Sequence, residues 1–126
     1  MKLYVIGDSI SIQYGPYLKA YLKGVVEYAR KEGEESAMDN LDDPKGANGG
    51  DSDMVLTFLK SKAKLGGIDT DLLLINCGLH DIKTKPGSNI CQTTVDKYRA
   101  NLESIICVSK QLNCFMIWVR TTPFDV

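Results

Sequence analysis

Three short polar segments of this sequence hold residue types that could do chemistry together. They are Gly7-Asp8-Ser9, Asn48-Gly49-Gly50-Asp51-Ser52 and Gly78-Leu79-His80-Asp81. Each follows an apolar run or opens a helical pattern. A serine at a strand-to-helix turn is exposed, and its backbone N–H lies near the positive end of a helix. That suits a nucleophile whose intermediate carries an oxyanion. A glycine such as Gly50 lets a second backbone N–H approach the same oxyanion. A side-chain donor such as His80 would complete an oxyanion hole, each donor contributing ~3 kcal/mol in the transition state.

Each segment also has a plainer reading. Gly-Asp-Ser often simply makes a turn. Asn-Gly-Gly-Asp-Ser is equally a loop ending in an Asp or Ser helix cap. His80 could be a core or surface histidine. Ser11 is a rival nucleophile, but it lies further from the strand end and is expected to cap the following helix.

The elements around these segments decide whether they meet. Lys2 to Ile6 reads as a short apolar strand. Tyr17, Leu18, Tyr21 and Leu22 recur at helical spacing between about Gly15 and Lys23, and Gly24 suits the helix end. Val25 to Arg30 reads as a second strand, and Lys31 to Gly50 as a long polar loop. Asp51-Ser52-Asp53 starts a helix with face Met54, Val55, Phe58 and Leu59, stopped by Gly66-Gly67. Asp71 to Asn76 is an unbroken apolar run, as in a central parallel strand. Gly78 to Asn89 is a loop. Thr93 or Thr94 caps a helix with face Val95, Tyr98, Leu102, Ile105 and Ile106. Phe115 to Arg120 is a fourth strand.

The order β-α-β-α-β-α-β predicts an α/β fold with a parallel sheet and helices on both faces. In such sheets ligands bind beyond the carboxyl ends of the strands. Ser9, Gly50 and His80 all fall at that edge, with Asp8, Asn48 and Asp81 beside them.

Composition narrows the function classes. The chain has 126 residues, 44% of them hydrophobic and 25% charged, enough for one domain with a core. A net charge of −1 gives no basic footprint for nucleic acid or an anionic membrane. No apolar run approaches the ~18 residues of a membrane-spanning helix. The N-terminal apolar run is too short for a secretion signal, so a cytoplasmic location is expected. Cys77, Cys91, Cys107 and Cys114 form no zinc-ligand pattern, and buried free thiols are expected.

Taken in order, the three segments resemble blocks of the SGNH hydrolases, the GDSL-type esterases and lipases. Gly7-Asp8-Ser9-Ile10-Ser11 looks like block I. Gly50 looks like the block II glycine. Gly78-Leu79-His80-Asp81 stands where block III normally reads Gly-x-Asn-Asp. Leu74 to Asp81 and Trp118 to Pro123 resemble a branch in which His replaces that Asn. The resemblance spans essentially the whole chain. It implies a flavodoxin-like three-layer fold of strand order 2-1-3-4-5. It also implies cofactor-free hydrolysis of esters of small O-acylated substrates, such as acylated sugars, through an acyl-serine intermediate. Ser9 would attack, and Ser9, Gly50 and His80 would hold the oxyanion. Asp8 and Asp81 would brace the turns.

The sequence departs from that pattern in two places. His80 replaces the block III Asn. The family's block V Asp-x-x-His, last strand and last helix are not among these residues, and His80 is the one histidine. The chain is therefore expected to be truncated at its C-terminus and, alone, inactive or weakly active. A further expectation is self-association through the edge strand Phe115 to Arg120, unless the tail from Thr121 folds over it. Two competing readings stay open. One is a binding module that keeps the pocket without the base. The other is a receiver-like domain using Asp8 and Asp81 for phosphate or metal.

Overall fold

The computed structural model describes residues 1–123. Strand β1 (Lys2–Ile6) leads into helix α1 (Ser9–Tyr21), then β2 (Glu27–Arg30), a short α2 (Glu34–Met38) and α3 (Ser52–Lys64). Strand β3 (Leu72–Ile75), helix α4 (Val95–Gln111) and β4 (Phe115–Trp118) complete the order. The four strands form one all-parallel sheet in the order β2-β1-β3-β4. The predicted α/β fold and the order 2-1-3-4 are therefore observed.

Side-chain alternation sorts the sheet into two faces. Tyr4, Ile6, Leu73, Ile75, Met116 and Trp118 point to the face covered by α3 and α4, where the main core lies around Val55, Leu59 and Ile105. The pairing puts Tyr28, Leu3, Leu72 and Phe115 in one row of the opposite face, and Arg30, Val5, Leu74 and Ile117 in the next. Helix α1 covers this face only over β2 and β1. Burial falls across the rows accordingly: Leu3 and Val5 are buried, Leu72 and Leu74 are partly so, Ile117 is 36% exposed and Phe115 71%.

Several element boundaries differ from the sequence reading. Helix α1 starts at Ser9 rather than near Gly15, and Pro16 lies inside it. Gly15 is the close-packing point of this helix: a Cβ there would come within 2.9 Å of the Tyr28 hydroxyl. Asp8, not Ser11, is the N-cap, its carboxylate accepting from the Ile10 N–H at 3.0 Å. The expected loop from Lys31 to Gly50 contains α2. On α4, Thr94 is the cap, but Val95 is 84% exposed and Ile106 faces outward, so the buried stripe is narrower than expected. On α3 the same holds for Met54, which is exposed while Leu56 takes its place inside.

Strand β4 ends at Trp118, though the Val119 N–H still bonds the Ile75 carbonyl at 2.9 Å. It is an edge strand. The segment after it does not turn back over that edge: Thr121 lies against Gly78 and Cys77 at the end of β3. Residues 124–126 of the expected tail lie outside the described residues. All four cysteines are free, but only Cys77 is buried; Cys91 and Cys107 are exposed and Cys114 is intermediate. No helix among the described residues is long and apolar enough to cross a membrane.

Candidate active site

The carboxyl edge of the sheet gathers the three polar segments because each follows a strand that ends there. Beyond β1, Gly7 pairs with Asn48 in a parallel bridge, and the Gly49 N–H donates to the Gly7 carbonyl at 2.7 Å. This ties the first segment to the second. The second is tied to the third by Asp81. Its carboxylate accepts the Ser52 N–H at 3.0 and 3.1 Å and the Ser52 hydroxyl at 2.6 Å. Asn101 of α4 donates to that same hydroxyl at 2.9 Å. Asp81 therefore caps the positive end of α3 from another loop, as an anion at a helix N-terminus should.

Ser9 occupies the first position of α1, half-buried. Side-chain bonds in this corner run to Asp8, Ser11, Asn48, Ser52 and Asp81, and none of them involves the Ser9 hydroxyl or the His80 ring. The Ser9 backbone N–H is likewise absent from the turn and cap bonds of the described residues. Among the described residues it is a donor without a partner, at the positive end of a helix.

Gly50 holds φ +72° and has no room for a side chain, since a Cβ would meet the Met54 sulfur at 2.5 Å and Pro44 at 2.9 Å. Its amide is not free. The Gly50 N–H donates to the Asn48 Oδ1 at 3.0 Å, closing an Asx turn. Asn48 is fully buried and also donates to the Leu41 carbonyl at 3.2 Å. In this geometry Gly50 could serve an oxyanion only by sharing its proton with Asn48.

His80 is buried in the turn after β3. Burial, with help from the nearby Lys83 ammonium, holds its pKa below the ordinary imidazole value. It is therefore neutral at pH 7 and has one ring N–H to donate. Asp8, fully buried, is shifted the other way: burial raises its pKa, while the Ile10 N–H and the His80 charge oppose the shift. One Asp8 oxygen caps α1, and the other, Oδ2, has no partner among the described residues.

One residue that sequence reasoning passed over holds this corner together. Arg30, at the end of β2, is buried beneath α1. Its guanidinium donates to the Ser11 carbonyl at 2.9 Å, the Ser11 hydroxyl at 3.0 Å and the Ala47 carbonyl at 3.1 Å. It thus cross-links the first turn of α1 to the loop carrying Asn48 and Gly50. Ser11, the rival nucleophile, is consumed by this contact and buried. The only sequence signal was an arginine closing a strand at the edge where the polar segments gather.

Among the described residues, no three His, Cys, Asp or Glu side chains cluster as metal ligands. Asp8 and Asp81 each serve a different helix N-terminus. No protein-family model, curated protein or solved structure matches this chain.

Proposed function

We propose that this chain carries the nucleophile and oxyanion side of a serine esterase site, acting on small O-acylated compounds, with Ser9 as nucleophile. The observation behind this reading is the state of Ser9. Among the described residues neither its hydroxyl nor its N–H has a partner at the N-terminus of α1, while Ser11, Asn48, Ser52 and Asp81 close by are hydrogen-bonded. A hydroxyl without a partner, beside the positive end of a helix, is available for attack on a carbonyl. The Ser9 N–H and the neutral His80 N–H are the donors assigned to the developing oxyanion, with Gly50 as a shared third. Asp8, Asn48, Arg30 and Asp81 hold the turns.

No base for Ser9 follows from these residues, because His80 is the single histidine and makes no bond to Ser9. That favours a second reading of the chain by itself: a binding module for acylated ligands at the same corner, without turnover.

The deciding experiment treats the 126-residue protein and its Ser9→Ala variant with a fluorophosphonate probe and with p-nitrophenyl acetate. Because the chain supplies no base, the esterase reading expects weak covalent labelling at Ser9, mapped by mass spectrometry, and slow ester hydrolysis that the variant loses. Equal hydrolysis by both proteins, with no label on Ser9, would overturn it. Saturable calorimetric binding of an O-acetylated sugar by both proteins would then support the binding module.

A further inference from the structure

We propose that the chain holds a small monovalent anion such as chloride beneath α1, between the Arg30 Nε–H and the hydroxyls of Tyr14 and Tyr28. The inference does not depend on Ser9. It starts from a charge. Arg30 is 7% exposed, so its guanidinium is a cation taken out of water. Its terminal nitrogens bond the Ser11 carbonyl, the Ser11 hydroxyl and the Ala47 carbonyl, all of them neutral. Among the described residues no carboxylate forms a salt bridge with it. Asp8, the buried carboxylate of this corner, gives one oxygen to the Ile10 N–H and neither to Arg30. Glu32 and Glu34, which follow β2, are exposed. Buried charges are ordinarily paired, because desolvating a lone ion is costly.

The second observation is a set of donors. The Arg30 Nε–H, the Tyr14 hydroxyl and the Tyr28 hydroxyl are each shut off from solvent, and none has a partner among the described residues. They lie close to one another. A Cβ on Gly15 would stand 2.9 Å from the Tyr28 oxygen and 3.1 Å from Arg30 Nη1. Tyr14 is the residue before Gly15, and the Arg30 charge and the Tyr28 hydroxyl both act on its own hydroxyl. Buried polar groups seldom go without a partner, and here three do so together.

The chemistry of these groups selects the occupant. An Nε–H can only donate, and each hydroxyl has a proton to place. A water molecule among them would bring two more protons and no charge. A halide accepts all three protons and neutralises the guanidinium as well. A way in lies beside Tyr28, where a groove of about 450 Å³ between α1 and β2 is lined also by Pro16, Lys19 and Lys23. The two lysines put positive charge at its mouth, which draws anions toward it.

Bromide is the probe, because its anomalous scattering separates it from water. Crystals of the intact chain grown in sodium bromide should show an anomalous peak in contact with Arg30 Nε and both hydroxyls. In solution, urea unfolding followed by circular dichroism is repeated at fixed ionic strength as bromide replaces gluconate, an anion too large for the site. The midpoint should rise and then saturate. Tyr14→Phe with Tyr28→Phe gives up no hydrogen bond to the protein, so it should stay folded in gluconate. Its apparent bromide affinity should be roughly tenfold weaker or worse. Each single Phe variant serves the same purpose if the pair unfolds. Water alone bridging the three groups in the crystal overturns the proposal. So does a midpoint that bromide does not raise, even with a peak in the crystal, since that is binding at crystal concentration only. A rise that the Phe variants keep in full also overturns it, because the ions would then be acting elsewhere on the surface.

Discussion

Asp81 offers the sharpest quantitative handle on the candidate site. It is buried, and its carboxylate takes the Ser52 N–H and the Ser52 hydroxyl, the latter at 2.6 Å. Asp81→Ala leaves both donors without their acceptor at a buried helix start. Two hydrogen bonds to a charged group are each worth about 1.5–3 kcal/mol, and the helix terminus adds roughly 0.5. Releasing the carboxylate from burial returns part of this, which leaves a net loss of about 3 kcal/mol. For 126 residues the unfolding entropy is about 0.26 kcal/mol/K, so Tm should fall by roughly 11 °C. Urea unfolding followed through Trp118 fluorescence and circular dichroism measures the loss directly. Asp81→Asn keeps one acceptor oxygen and should cost about half as much. Ser52→Ala removes one of the two donors, so the Asp81→Ala and Ser52→Ala losses should couple by about 1–2 kcal/mol in a double-mutant cycle. A loss below about 1 kcal/mol for Asp81→Ala, or additivity of the two changes, would refute the claim that this contact joins the second and third polar segments.

Three further outcomes follow from the same corner. His80 has a folded pKa below that of the unfolded chain, so the unfolded state binds the proton first. Stability should therefore fall as pH drops below the ordinary imidazole value, and His80→Gln should remove that slope; the single imidazole makes the titration readable by NMR. Arg30→Met keeps the stem but removes three hydrogen bonds, leaving the Ala47 carbonyl unpaired. It should cost about 2–3 kcal/mol and speed hydrogen exchange of the Gly49 and Gly50 amides above all others. Ser9→Ala should leave stability within about 0.5 kcal/mol of the parent, since no hydrogen bond is lost; a larger change in urea unfolding would mean the hydroxyl is structural.

Much of the frame was legible because local physics dominates it. The run Leu-Leu-Leu-Ile could only be a buried strand, and β3 is central. Asp51-Ser52-Asp53 and the Thr93-Thr94 pair marked helix starts through cap chemistry that needs no tertiary partner, and the caps are Asp51 and Thr94. Period-2 and period-3.6 patterns fixed the element order, and crossover handedness then limited the topology. The juxtaposition of Ser9, Gly50 and His80 at one sheet edge followed from that order alone.

What tertiary structure decided was the fate of polar groups. Gly15 reads as the approximate start of the first helix, yet α1 begins at Ser9 and runs through Gly15 and Pro16. The glycine admits Tyr28 and Arg30 beneath the helix, a reason found only on another strand. Arg30 reads only as the last residue of a strand until three acceptors, two on Ser11 of α1 and one on the loop at Ala47, converge on it. The Gly50 amide reads as a free oxyanion donor until Asn48, two residues earlier, turns back to take it. The α4 face looked wider in sequence than in space, because Val95 and Ile106 lie outside the stripe that packs against the sheet and α3; on the opposite face α1 covers only part of the sheet and leaves Phe115 and Ile117 in the open. Pattern determines which residues prefer burial and where the backbone turns. Which donor meets which acceptor depends on distances of a few ångströms between segments far apart in sequence, and only the packed chain sets those.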